Sequence, residues 1–138
     1  MIYVDTNIVL DILENDPNWA HWSIDAIERS RMDSRLVSGF VVAAEVGHYV
    51  RSPAGLANSF ARLFIDLIDA DIGAAFAAGQ AYRGYRQRGG ERPSLLPDFL
   101  IGAHAASLEA SVLTRDPRRF RSYFPELILI TPETTNHG

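Results

Sequence analysis

The sequence of 138 residues contains no cysteine and no lysine, because all 13 residues counted as lysine or arginine are arginine. Without cysteine the chain has no disulfide bond, thiolate zinc site, iron–sulfur cluster or cysteine nucleophile. Without lysine it lacks the phosphate-binding lysine of P-loop proteins, and it has neither Schiff-base nor Ser–Lys catalysis. Several large enzyme classes are thereby excluded, and the missing cysteines fit a reducing compartment.

Long apolar runs and an early arginine are also missing. No run approaches the ~20 apolar residues that cross a bilayer. The first arginine is Arg29, so the sequence does not begin with the charged front and apolar middle of a signal peptide. We therefore expect a cytoplasmic protein with no membrane segment.

Length and composition are those of one globular domain, with 47% hydrophobic and 22% charged residues. A chain of this size buries roughly two-thirds of the surface that it exposes when unfolded, which is enough for a core without a structural metal. We expect a single domain over residues 1–132 and a flexible polar tail over 133–138.

The net charge of -4 at pH 7 hides an uneven distribution. The segment from Arg83 to Arg121 contains eight arginines and four acids, a balance of +4, whereas the rest of the chain carries -8. An acidic chain argues against a nucleic-acid partner, but a basic segment of this kind is typical of phosphate binding. A solvated helix face with a basic loop explains the charge equally well.

Short β-prone runs alternate with segments of helical periodicity along the sequence. Strands are predicted at residues 2–4, 36–37, 111–114 and 127–130, and helices at 8–13, 17–27, 40–50, 56–68, 72–88 and 96–108. Thr6 or Asn7 is expected to cap the first helix and Asp16 the second, and residues 88–93 are expected to form a flexible loop. Strands separated by helices predict an α/β fold, with a central parallel sheet covered by helices on both faces.

Four acidic residues have positions that suggest a shared site. Asp5 and Asp116 follow predicted strands and Asp98 opens a predicted helix, so a parallel topology brings them to the edge of the sheet where ligands bind. Glu45 lies in the most apolar surroundings of any acid in the chain, where a carboxylate is costly unless it is compensated. Taken singly, the aspartates are also explained as helix caps and Glu45 as the partner of an arginine.

Four carboxylates at one edge repel one another by several kcal/mol unless some are protonated or a cation lies among them. Oxygen ligands without cysteine select Mg²⁺ or Mn²⁺ over Zn²⁺. Such ions engage phosphate oxygens, so the pattern favours hydrolysis of phosphodiester bonds.

Four segments carry a family pattern: Ile2-Tyr3-Val4-Asp5-Thr6-Asn7, the lone Glu45 in an apolar helix, Pro97-Asp98 followed by Leu100, Ile101, Ala103 and Ala105, and Val112-Leu113-Thr114-Arg115-Asp116 leading into Arg119-Phe120. In this order and spacing they resemble the PIN-domain ribonucleases, and within them the small VapC-type toxins of bacterial toxin–antitoxin pairs. The resemblance covers nearly the whole chain.

The resemblance implies a PIN-like three-layer α/β/α domain and an endoribonuclease that depends on Mg²⁺ or Mn²⁺. It assigns the catalytic and metal-binding roles to Asp5, Glu45, Asp98 and Asp116, and it assigns the orientation of these carboxylates to Thr6, Asn7 and Thr114. A homodimer and a cognate antitoxin that blocks the pocket are implied as well. With RNA as the substrate, the candidate RNA contacts in the basic segment are Arg86, Arg88, Arg92, Arg115, Arg118 and Arg119.

Family members commonly carry surface lysines, and this chain has arginine instead. Arginine contacts phosphate at least as well as lysine does.

Two other functions stay open. A phosphotransfer protein of haloacid-dehalogenase or receiver type also has an aspartate after its first strand, but it needs a second acid where this chain has Asn7, and a lysine. A non-catalytic PIN-like binding module is expected to lose one or more of the acids, and all four are present.

Overall fold

The fold was determined as a computed structural model that describes residues 1–89 and 96–135. The strands within these residues are β1 (Ile2–Val4), β2 (Leu36–Ser38), β3 (Ile65–Leu67), β4 (Ser111–Leu113) and β5 (Leu129–Ile130). The helices are α1 (Thr6–Leu13), α2 (Ala20–Asp33), α3 (Phe40–Gly47), α4 (Pro53–Ala61), α5 (Ile72–Gln87), α6 (Leu96–Ser107) and α7 (Pro132–Thr135). A short 3-10 turn, Pro117–Arg119, lies between β4 and β5.

The strands form one parallel sheet in the order β3-β2-β1-β4-β5. Tyr3 in the central strand β1 pairs with Val37 of β2 and Val112 of β4. Parallel neighbours need crossover connections, and the intervening helices supply them and bury their apolar faces on the sheet. The predicted three-layer α/β fold with a central parallel sheet is confirmed.

The strand order reverses next to β1. The chain runs outward from β1 through β2 to β3 and then returns to the other side of β1 for β4 and β5. The backbone N–H of Asp5 donates to the carbonyl of Leu113 at 3.0 Å, so the residue after β1 is joined to the end of β4. Open α/β sheets bind ligands at such a reversal, outside the carboxyl ends of the strands.

The prediction of one helix over residues 56–68 is wrong in its second half. Helix α4 ends at Ala61, and Phe64 has a left-handed backbone with φ of 60°, which a helix of L-residues does not continue through. Ile65 then begins β3 opposite Leu36 of β2. A strand of three residues is too short to show its period of two, so its apolar residues extended the helical pattern.

The caps of the first two helices also differ from the prediction. Asp5, rather than Thr6 or Asn7, caps α1, because its carboxylate accepts the backbone N–H of Thr6 at 2.8 Å. Asp16 accepts backbone N–H groups in a turn before α2, which begins only at Ala20. Asp5 therefore stabilises the start of α1 in addition to any role in the pocket.

Helix α7 lies across the predicted boundary between residues 132 and 133, and there the side chain of Thr134 accepts the N–H of Thr131 at 2.9 Å. The flexible tail over 133–138 stays a prediction. Residues 136–138, and residues 90–93 of the expected loop, lie outside the described residues. Among the helices that the structure describes, none is both long and apolar enough to cross a membrane.

A buried polar pair joins β1 to α6. The hydroxyl of Tyr3 lies 2.9 Å from Nδ1 of His104, and the His104 side chain is almost fully buried. Burial lowers the pKa of His104, and the nearby Asp69 and Asp71 offset part of this effect. The folded chain therefore takes up a proton at His104 less readily than the unfolded chain does.

We expect this histidine to weaken the fold in acid. Because the unfolded chain binds a proton near the ordinary pKa of about 6.5 and the folded chain does not, the free energy of unfolding falls as the pH drops from 7 to 5. His104→Gln, which does not titrate, is expected to flatten this dependence in urea unfolding at pH 5, 6 and 7. The exposed His21→Gln is the control, and a His104→Gln curve parallel to the wild type would contradict the assignment.

Candidate active site

Asp5 is the most deeply buried of the four predicted acids, with none of its surface exposed. Its Oδ1 accepts from the N–H of Thr6 at 2.8 Å and from Nη1 of Arg119 at 2.7 Å. Its Oδ2 accepts from the hydroxyl of Thr114 at 2.7 Å. Burial raises the pKa of Asp5, and the negative charge of Glu45 raises it further. Arg119 and the hydrogen bonds from Thr114 and Thr6 lower the pKa of Asp5.

The guanidinium of Arg119 joins three of the four predicted acids. Nη1 lies 2.7 Å from Asp5, Nε lies 2.7 Å from Asp98, and Nη2 lies 3.5 Å from Glu45. These acids come from the end of β1, from α6 and from α3, and they meet at the reversal in strand order. Burial alone would lower the pKa of Arg119, but the three carboxylates together raise it above its ordinary value, so the side chain is a permanent cation.

Glu45 is held by a second contact. The hydroxyl of Thr6 donates to its Oε1 at 2.6 Å, and 35% of the Glu45 side chain is exposed. The sequence left open whether Glu45 belongs to an acidic pocket or pairs with an arginine. It does both, because its arginine partner is the one that lies between the acids.

Thr114 organises the other side of Asp5. Besides donating to Asp5, its buried hydroxyl oxygen accepts from Nδ2 of Asn7 at 3.3 Å and from the N–H of Asp116 at 3.0 Å. Asn7 in turn accepts the N–H of Arg115 at 3.1 Å. These bonds connect α1 to the segment after β4 and fix the orientation of the Asp5 carboxylate.

The carboxylate of Asp116 contacts Arg118, whereas the other three predicted acids contact Arg119. Its Oδ1 accepts from the backbone N–H of Arg118 at 3.2 Å and from Nε of Arg118 at 3.3 Å, and 40% of the side chain is exposed. Asp116 caps the 3-10 turn, which agrees with the alternative interpretation of this aspartate as a cap. The structure therefore brings Asp5, Glu45 and Asp98 together through Arg119 and pairs Asp116 with Arg118.

The donor set suits a hard divalent cation, since it consists of carboxylate oxygens and one of them is fully buried. Over residues 1–89 and 96–135, however, no group of three or more histidines and acids has the arrangement of a metal site. The three carboxylates converge on the guanidinium of Arg119 instead. The cluster thus has the chemistry of a metal site, with an internal cation in its centre.

The candidate RNA contacts fall into two groups. Arg86 and Arg88, at the end of α5, are exposed, and so is Arg118, with 72% of its side chain in solvent. Arg119 and Arg115 have only 15% and 25% of their side chains exposed, and both are paired with acids. Arg92 is among the residues that the structure does not describe.

Sequence reasoning missed the partner of Arg115. Its Nε and Nη2 donate to the two oxygens of Asp11 at 2.6 and 2.7 Å, and Asp11 also accepts from the hydroxyl of Ser23 at 2.7 Å. Asp11 is 4% exposed. An acid inside the apolar pattern of the first helix was the available signal, and it leads to a bidentate ion pair that ties the segment after β4 to α1 and α2.

Fold and site together define an α/β domain with an acidic pocket at the reversal of its sheet. The PIN domain model matches residues 2–123, and the chain belongs to the PIN domain family. The predicted family resemblance is thereby confirmed. Among curated proteins, none matches the chain in sequence.

Chains of solved VapBC and FitAcB structures share the fold. A chain of VapBC2 from Rickettsia felis, bound to promoter DNA, has a TM-score of 0.71 at 20% identity, covering 95% of this chain and 98% of its own. A chain of VapBC-1 from nontypeable Haemophilus influenzae has a TM-score of 0.68 at 22% identity, with 95% and 98% covered. A chain of FitAcB from Neisseria gonorrhoeae has a TM-score of 0.63 at 21% identity, with 96% and 99% covered.

Proposed function

We propose that the protein is a metal-dependent endoribonuclease of the VapC type, the toxin of a toxin–antitoxin pair. The observation that carries this proposal is the convergence of Asp5, Glu45 and Asp98 at the reversal of the sheet. Membership of the PIN domain family and the fold shared with toxin–antitoxin complexes support it. We propose a cognate antitoxin, a homodimer and a cytoplasmic location on the same grounds.

Asp5, Asp98 and Glu45 are the residues that would hold Mg²⁺ or Mn²⁺, with Asp116 as a further ligand. When bound, such an ion supplies a hydroxide nucleophile and polarises the phosphoryl oxygens. Thr114 and Thr6 keep the carboxylates in a fixed orientation, which is the contribution that partners of metal ligands make. Attack of water on phosphorus with loss of the 3′ oxygen leaves a 5′-phosphate end and a 3′-hydroxyl end.

The test is cleavage of an end-labelled RNA by the purified chain, first with EDTA and then with Mg²⁺ or Mn²⁺ added back. We expect no cleavage in EDTA, recovery with either ion, and products whose 5′ ends are labelled by a kinase only after phosphatase treatment. Cleavage that persists in EDTA, or that leaves cyclic phosphates, would rule out this chemistry.

A non-catalytic PIN-like binding module is the alternative, and the internal cation in the cluster is the observation that favours it. It predicts neither cleavage nor acid-dependent metal binding. Mn²⁺ titration by calorimetry into the wild type and Asp5→Asn separates the nuclease from the binding module. A metal site in this pocket would be lost when Asp5 is replaced, whereas a binding module would show no metal binding that depends on Asp5. Membership of the PIN domain family argues against a haloacid-dehalogenase or receiver-like phosphotransfer protein.

We expect Arg86 and Arg88 to contact RNA phosphates, because both are exposed within the basic segment. Each contact to a single strand contributes about 0.7 to the slope of log affinity against log salt, so Arg86→Ala with Arg88→Ala should reduce that slope by about 1.4. Binding is measured in the Asp5→Asn background, in which the RNA stays intact.

Arg51→Ala with Arg62→Ala is the matched control for this pair, since it removes the same charge outside the basic segment. The control is expected to keep the wild-type slope. An unchanged slope in the Arg86/Arg88 variant would remove these residues from the RNA interface.

A further inference from the structure

We propose that Arg119 is a built-in competitor of the divalent cation, so that metal binding requires release of its guanidinium from the acids. This inference rests on the metal site proposed above and concerns its regulation. Arg119 donates hydrogen bonds to one oxygen of Asp5 and one oxygen of Asp98, both at 2.7 Å. The same two acids would supply oxygen ligands to a metal ion. A guanidinium and a divalent ion within a few ångströms of each other repel strongly, so the cluster holds one or the other.

Arg119 stabilises the metal-free chain. Asp5 is fully buried, and Asp98 and Glu45 are 17% and 35% exposed, so without a cation between them these carboxylates would repel in a poorly hydrated pocket. One guanidinium faces three carboxylates, which leaves the cluster with an excess of negative charge. A divalent cation neutralises this cluster better than the single charge of Arg119 does.

The fold allows Arg119 to leave without disturbing the core. It ends the 3-10 turn Pro117–Arg119, and the next residue, Phe120, is fully buried and anchors the backbone there. The adjacent Arg118 has 72% of its side chain in solvent, so open space lies beside the turn. The long side chain of Arg119 can therefore rotate outward while the backbone stays in place. Its released guanidinium suits bidentate hydrogen bonding to an RNA phosphate.

The experiment compares Arg119→Met with Arg121→Met, which removes the same charge from an exposed arginine two residues along the chain. Mn²⁺ affinity is measured by calorimetry. Thermal unfolding is followed in EDTA and in saturating Mn²⁺. Arg119→Lys keeps the positive charge but lacks the guanidinium group, and it provides a second variant in case Arg119→Met does not fold.

We expect Arg119→Met to bind Mn²⁺ about ten-fold more tightly than the wild type or more, because a competing positive charge is gone. In EDTA its Tm should fall by about 5 °C or more, and saturating Mn²⁺ should restore most of this loss. Arg119→Lys should lie between, and Arg121→Met should match the wild type in both measurements.

The two proposals fail in different ways. If the wild type binds Mn²⁺ through Asp5 but Arg119→Met binds it no more tightly, the competition is refuted and the metal site stands. If neither the wild type nor either Arg119 variant binds Mn²⁺, the metal site is refuted together with the competition. A weaker affinity in Arg119→Met would show that Arg119 assists the metal, which also overturns the inference.

Discussion

Replacing Asp5 by asparagine is expected to abolish metal-dependent RNA cleavage while the chain stays folded. The amide keeps an oxygen that accepts the N–H of Thr6 and so preserves the cap of α1, but it removes the charge that attracts a metal ion. The pKa of Asp5 is raised by burial, which means that ionised Asp5 is costly in the fold, so losing its charge offsets the loss of the contact with Arg119. We expect cleavage to fall by roughly a thousand-fold or more, about 4 kcal/mol in activation free energy.

The control for this variant is Asp71→Asn. Asp71 caps α5 by accepting the N–H of Ala74 at 2.8 Å, so the same chemical change is made at a helix start outside the acidic cluster. Cleavage rates are measured with added Mg²⁺, and circular dichroism and thermal unfolding verify the fold of both variants. Asp71→Asn should cut RNA like the wild type, and an Asp5→Asn chain that does the same would remove Asp5 from the active site.

Replacing Arg115 by methionine is expected to destabilise the chain by about 3 kcal/mol or more, because it leaves a buried carboxylate without its cation. Asp11 is 4% exposed and accepts two hydrogen bonds from the guanidinium of Arg115. In the variant, the hydroxyl of Ser23 still donates to Asp11, but the positive charge is gone. Urea unfolding of the wild type and the variant measures the difference. The slope of the transition should stay unchanged if only stability is affected.

Arg35→Met provides the comparison for this pair. Arg35 contacts Asp66 at 2.9 Å with 58% of both side chains exposed, and an ion pair in solvent contributes less than about 1 kcal/mol. A double variant in which Asp11 is replaced by leucine should recover part of the Arg115→Met loss. If Arg115→Met costs no more than Arg35→Met, Arg115 is not a structural residue and its place among the RNA contacts gains support.

The positions in the fold that the sequence predicts correctly for the candidate acids are those fixed by local order. Asp5 follows an apolar run that ends in a helical pattern, which places it at the carboxyl end of a strand whatever the rest of the chain does. Asp98 is likewise placed by the start of its helix. Since parallel strands have their carboxyl ends at one edge, the meeting of these acids follows from the fold class.

The role of Arg119 does not follow from local order. In the sequence it stands beside Arg118 within one basic run, and composition treats the two alike. The structure exposes 72% of the Arg118 side chain and 15% of the Arg119 side chain, because only the second one points into the acidic cluster. That difference depends on residues far away in the chain, such as Glu45, and on the exact turn after β4.

The position of β4 beside the central strand β1 has a consequence for synthesis of the protein. A chain that is still emerging from the ribosome contains β1, β2 and β3 long before β4, which is the second neighbour of β1. Thr114 and Arg119 emerge after β4, so two of the side chains that contact the Asp5 carboxylate are translated 109 and 114 residues after it. Pairing across so long a stretch is slow, and the nascent polypeptide therefore remains without an assembled pocket until β4 and the turn after it have been translated.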